Sequence, residues 1–313
     1  MNNEDRSNNN ASPDATNKWF QADAFMHIVN SVTVMILSGI CCLIGSLPLV
    51  IVMLMVNDLT YWPLYFAAAA ISSPSVAALY AMFRDHPALL ARGSRVRVKR
   101  FMEAENDAEH HGFPPDWIAG LYVRQDVAVA MFRPYFQAYA RLFARALAVG
   151  VTCCVIGFAF TYNILLFSQL SWGVYVTPAL AVCLVFLFAA FSIAMVLIVE
   201  YPKAKYWSVM RNAVLLCIRR VYILLIAVVA IVAYGYGLFH WALPMMVFGT
   251  GVLWYLIWGA SRWQAQRLFT KMATESGDPR IVELYEIAPS SSSAATSSSS
   301  FGGFFSGTTD WRQ

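Results

Sequence analysis

What this 313-residue chain lacks most is charge: Asp, Glu, Lys and Arg make up 13% of it, against about 25% in ordinary soluble domains. These residues are missing altogether from 24–57, 59–83, 146–199 and 221–261, uncharged stretches of 34, 25, 54 and 41 residues. A water-soluble fold needs polar faces at short intervals, so such stretches argue against one. The dipeptide Gly-Lys is also missing, and with it the phosphate-cradling GxxxxGK[ST] loop. Neither a GxSxG nucleophile turn nor an HExxH zinc motif occurs. The six cysteines, Cys41, Cys42, Cys153, Cys154, Cys183 and Cys217, form no CxxC. Adjacent helical residues point about 100° apart and do not chelate one ion together, so buried thiols are expected. His110 and His111 lie among Glu103, Glu105, Asp107, Glu109 and Asp116, a segment that reads as a flexible acidic loop rather than a metal site. No catalytic residue, metal or cofactor is expected.

What is present is apolar: 59% of the residues are hydrophobic and the mean hydropathy is +0.55. A bilayer core of about 30 Å takes roughly 20 helical residues. The two longest uncharged stretches therefore each hold a helical hairpin, and the 25-residue one holds a single span. The 34-residue stretch reads as one long span that Pro48, in "GSLPLV", kinks or ends. The expected fold is all-α, an integral membrane bundle of about six transmembrane helices over residues 21–272. The spans fall at about 25–56, 60–83, 146–168, 174–199, 221–239 and 242–261. Residues 1–20 and the Ser-rich 273–313 read as disordered tails, with one short ordered turn conceivable in "IVELYEIA".

The cations test that count. Of 22 Lys and Arg, two precede the first span, ten lie between spans two and three, five between spans four and five, and five follow span six. Six spans put all of them on one side, which the positive-inside rule makes cytoplasmic, together with both termini. The collar "RGSRVRVKR" is then an orientation anchor on anionic lipid headgroups. It has no interleaved aromatics, and acids follow it, so nucleic acid is not an expected partner.

Two segments beside the spans look amphipathic. In "VAVAMFRPYFQAYARLFARALAVG" Arg133, Gln137, Arg141 and Arg145 recur every four residues, the stripe of a helix lying in the interface before it turns into span three, with Pro134 in its first turn. In "YPKAKYWSVMRNAVLLCIRRVYILL" Ser208, Arg211, Asn212, Arg219 and Arg220 mark a wetter side. These residues form a lipid-anchoring surface or a docking surface for a membrane partner. Ionisable groups are almost absent from the spans, which disfavours an ion-coupled transporter. A neutral solute would have Asn30, Asn163, Gln169 and Ser/Thr hydroxyls to bind. Gly235 and Gly237, and Gly249 and Gly251, are read as allowing close helix packing.

The motifs "GICCLIGSLPLV" (39–50), "SSPSVAALYAMFRD" (72–85), "MFRPYFQAYARLFARAL" (131–147) and "YPKAKYWSVMRNAVLLCIRR" (201–220) together resemble the YesL-like family. These are bacterial polytopic membrane proteins built on a domain of unknown function. The resemblance covers about residues 24–270. It implies a plasma-membrane protein working beside carbohydrate-uptake transporters, without carrying over any catalytic residue. The chain departs from the family pattern at 51–70, which separates motifs that usually lie close together, and at the acidic loop 103–116. The expected function is that of a non-enzymatic accessory or assembly partner of such a transport system; the alternative is a permease component passing a neutral solute. An ABC permease would present a short Glu-Ala-Ala loop to its ATPase, and none is found.

Overall fold

Helices form wherever the sequence is uncharged, because a backbone in hydrocarbon must satisfy its own N–H and C=O groups. The computed structural model describes residues 13–56, 58–86, 89, 101–103, 115, 117–123, 131–219, 221–277 and 279–285. Among them there is no strand. The helices are α1 (Pro13–Gly45), α2 (Leu47–Met55), α3 (Trp62–Asp85), α4 (Phe132–Ser168), α5 (Gly173–Glu200), α6 (Tyr206–Arg219), α7 (Val221–His240), α8 (Thr250–Ser276) and α9 (Pro279–Tyr285). A single α-turn, Ala242–Pro244, and a π-turn, Met245–Gly249, lead into α8. Among the described residues five helical stretches are long and apolar enough to cross a membrane: Ile28–Gly45, Trp62–Asp85, Phe132–Ser168, Gly173–Glu200 and Ala242–Ser276. Leu225–His240 is a shorter apolar stretch within α7. The protein is an all-α, multi-pass membrane bundle.

The outward faces fit that solvent. On α7, Leu225, Val229, Val232 and Tyr236 are 62%, 67%, 65% and 67% exposed and share one helical side, an apolar surface that water would not tolerate but lipid does. Inside, α3 is the hub, for every residue from Ser72 to Asp85 is buried. Small side chains make this possible, since Ser72, Ser73, Ser75, Ala77, Ala78 and Ala81 let neighbours approach from all sides. Pro74 sits within this helix and cannot donate to Ala70 O. Ser73 Oγ replaces the missing donor at 2.7 Å and also lies 2.9 Å from Ala146 O of α4. Gly150 faces the same serine, and a Cβ there would collide with Ser73.

The boundaries differ from the expected ones in four places. The first apolar stretch breaks at Ser46, with Pro48 in the first turn of α2. The proline thus ends one helix and starts another, because its fixed φ and missing N–H suit a helix start. The segment carrying Arg133 to Arg145 is not a separate interfacial helix. It is continuous with span three in a 37-residue α4, whose Tyr135, Ala138, Leu142 and Ala146 are buried; packing of that face on the bundle removes any reason to break. At about 56 Å, α4 exceeds the hydrocarbon thickness. Beyond residue 272, α8 continues to Ser276, where Gly277 at φ 71° ends it in the left-handed conformation open to glycine. After it, α9 packs Ile281, Leu284 and Tyr285 into the core. At the other terminus, α1 begins at Pro13, upstream of the first expected span.

Among the glycines, Gly251 and Gly39 bring α1 and α8 into backbone contact. A Cβ on Gly251 would overlap Met35 O, and one on Gly39 would lie 2.7 Å from Val247 O. Gly235, by contrast, faces nothing within 4 Å and contributes no packing.

Candidate functional site

The chain's buried charges meet where α3 and α5 end. Arg84, Asp85, His86 and Glu200 are 2%, 0%, 1% and 1% exposed. The guanidinium of Arg84 grips Asp85 in a two-point fork, Nε to Oδ1 and Nη2 to Oδ2, both 2.8 Å. Its Nη1 lies 3.4 Å from Glu200 Oε2 and donates to Val199 O at 3.2 Å. Its Nη2 also donates to Gly120 O at 2.5 Å. Both carboxylates find further donors: the Tyr122 backbone N–H reaches Asp85 Oδ2 at 2.8 Å, and the Tyr285 hydroxyl reaches Glu200 Oε1 at 2.6 Å. Arg84 also lies 4.7 Å from the Tyr122 ring centroid, with Arg141 at 5.9 Å from the same ring. Burial pushes the Tyr122 phenol above its usual range, opposed by Arg84.

This knot fastens five pieces of chain: the ends of α3 and α5, the 119–122 loop, α9 and, through Tyr122, α4. Two helix C-termini bring partial negative charge to it, which favours a cation between them. Removing one member of a buried charge set leaves an uncompensated charge, so the set is fixed as a unit. Asp, Glu, Lys and Arg stay out of the expected spans themselves, but among the described residues three charged side chains, Arg84, Asp85 and Glu200, are buried just beyond the ends of two of them.

A hydroxyl chain lies on the same helices. Tyr80 Oη, Ser192 Oγ and Ser261 Oγ link α3, α5 and α8 at 2.7 Å per step. Tyr135 of α4 bonds Ser75 of α3 at 2.7 Å, and Ser75 donates to Cys42 O of α1 at 3.1 Å.

The residues singled out from sequence are distributed as follows. Arg133, Gln137, Arg141 and Arg145 are all exposed along one side of α4, flanking its buried face, with Arg141 reaching the Tyr122 ring. Arg211 and Arg219 are exposed on α6 beside Trp207 and Ile218, which are 79% and 61% exposed. Asn212 is not on this wet side. It is 5% exposed and shares the inner face with Val209, Ala213 and Leu216, because position 212 falls three residues from 209 and four from 216. Ser208 is half-buried, and Arg220 lies outside the described residues. The neutral-solute set does not converge: Asn30 and Gln169 are exposed, and the Asn163 amide donates to Ala159 O of its own helix. Asp58 is an exposed turn residue whose Oδ1 accepts from the Thr60 N–H and hydroxyl; these bonds hold its carboxyl below the usual range.

Between the helices lies a cavity of about 510 Å³, partly open to the outside and bordered by α1 to α5, α7 and α8, with its wall drawn from Leu43, Leu49, Phe66, Leu187, Phe188 and Trp254 among others.

Among the described residues no three His, Cys, Asp or Glu side chains come together as metal ligands; the His110–His111 segment lies outside them. Cys41, Cys42, Cys153 and Cys217 are buried free thiols, whereas Cys183 departs from expectation and is exposed. Comparison of the chain with protein-family models, curated proteins and solved structures yields no match.

Proposed function

We propose that the protein is a non-enzymatic accessory or assembly protein of a bacterial plasma membrane, which offers the basic end of its bundle to a neighbouring transport subunit. The observation that carries this reading is the exposed stripe Arg133, Gln137, Arg141 and Arg145, set along a helix that is fixed by packing its neighbouring face on α3. Cations on a fixed helix lose less freedom on binding than cations on a loop, which suits a docking surface. Arg211 and Arg219 on α6 extend the surface, and the exposed Trp207 beside them is of a residue type enriched at membrane boundaries. The resemblance of four motifs to the YesL-like family points to carbohydrate uptake as the setting. A solute route of its own has less to rest on, since Asn30, Asn163 and Gln169 do not meet.

Cross-linking in intact cells followed by mild-detergent purification tests this. The wild type is expected to bring a transport subunit with it, and a variant carrying Arg133→Glu and Gln137→Glu to lose that subunit while remaining folded in the membrane. Recovery of the wild type alone, or full retention of the subunit by the variant, would overturn the proposal.

A further inference from the structure

We propose that the cavity among α1 to α5, α7 and α8 is a binding site for a single long acyl chain of a membrane lipid. Its volume of about 510 Å³ lies within the range of small-molecule sites, about 300–1,000 Å³. An apolar cavity of ~150 Å³ holds one benzene, so 510 Å³ suits a chain of about twenty carbons by the same scale.

The wall selects for such a chain because the surface it presents is overwhelmingly apolar and most of its hydroxyls are engaged within the protein. Tyr234 Oη and Thr250 Oγ1 bond each other at 2.8 Å, and Thr250 reaches Met246 O at 2.6 Å. Ser73 is engaged with Ala70 O and Ala146 O. Ser72 Oγ has no partner, but packing seals it from solvent, so it gives a polar solute nothing to bind. Water needs two to four polar partners to remain in a cavity, so water does not fill this one. The occupant must come from the surroundings, and these are hydrocarbon. Met53, at the wall, is 53% exposed on the outer surface of α2, which makes the cavity continuous with the lipid-facing side of the bundle. Ala69 borders the gap with only a methyl group.

The test uses the full chain in vesicles of phosphatidylethanolamine and phosphatidylglycerol, with a phosphatidylglycerol bearing a diazirine in mid-chain as the probe. After photolysis, label is expected on the inward-facing Leu49, Phe66 and Leu187 as well as on outward-facing Leu225. Ala69→Phe, which fills the cavity, should lower the inward labels at least tenfold, whereas Val229→Phe, which adds the same bulk outside, should leave them unchanged. Inward labels at background in the wild type, or unchanged labels in a folded Ala69→Phe protein, would overturn the proposal, as would cross-links from these residues to another polypeptide. Should Ala69→Phe fail to fold, native mass spectrometry of the wild type decides. One retained phospholipid after detergent exchange supports the site, and bare protein refutes it.

Discussion

Replacing Arg84 by methionine removes the guanidinium but keeps a flexible apolar stem. Asp85 and Glu200, 0% and 1% exposed, then lose their shared cation, and Val199 O and Gly120 O lose a donor. Breaking a buried charge set from one side costs about 3–5 kcal/mol. In a fold of this size each kcal/mol shifts the melting temperature by about 2–4 °C, so a fall of roughly 10 °C is expected. Arg84→Lys should recover little, because an ammonium cannot reproduce the fork that meets both Asp85 oxygens at 2.8 Å. Replacing all three charges together, Arg84→Met with Asp85→Leu and Glu200→Leu, should cost less than Arg84→Met alone, since no charge is then left uncompensated. The assay is thermal unfolding in detergent followed by fluorescence-detected gel filtration. An Arg84→Met protein melting within 2 °C of wild type, or a triple variant less stable than the single, would refute the reasoning.

Three further outcomes follow from particular contacts. Tyr285→Phe removes the 2.6 Å hydroxyl bond to Glu200 and should cost about 1.5–3 kcal/mol as a bond to a charged group, seen as a lower melting temperature and earlier proteolysis after Gly277. Burial holds His86 at about 4 against an ordinary 6.5, so between those values the unfolded chain binds more protons. Stability from this group is complete above about pH 6.5 and is lost as pH falls toward 4, by roughly 3 kcal/mol in all; His86→Phe should flatten the melting temperature between pH 7 and pH 5 relative to wild type. Gly251→Leu places a side chain on Met35 O and should destabilise by about 1–3 kcal/mol or more, whereas Gly235→Leu, which meets nothing, should be near neutral in the same melt.

Much of the fold was legible because the bilayer imposes one rule on every helix. The hairpin in the 54-residue stretch was expected at 146–168 and 174–199, and the observed turn falls between Ser168 and Gly173. Charge alone marks where a span begins and ends. It does not say whether a helix continues past the membrane, and so α4 was divided at a boundary that its buried Tyr135, Ala138 and Leu142 erase. The knot was harder to see. Arg84 read as the first residue of a basic collar, and only its pairing with Glu200, 116 residues on, turns it into a core residue. A signal was present: Glu200 closes its uncharged stretch as an acid, and Asp85 follows Arg84 at the end of another, and an acid at a helix C-terminus opposes the dipole unless a cation answers it. The cavity left no trace at all, for apolar residues around a void and apolar residues in tight contact spell the same composition.

With lipid as the solvent of this bundle, its cations are expected to gather on one side of the membrane. Single cysteines placed in a cysteine-free background at Asp58, Trp172, Lys205 and Lys271 test it, labelled in sealed cells with a membrane-impermeant maleimide before and after permeabilisation. Asp58 and Trp172 are expected to label in intact cells, and Lys205 and Lys271 only once the membrane is opened. Labelling of Lys205 and Lys271 from opposite sides, or of all four positions in intact cells, would contradict the account.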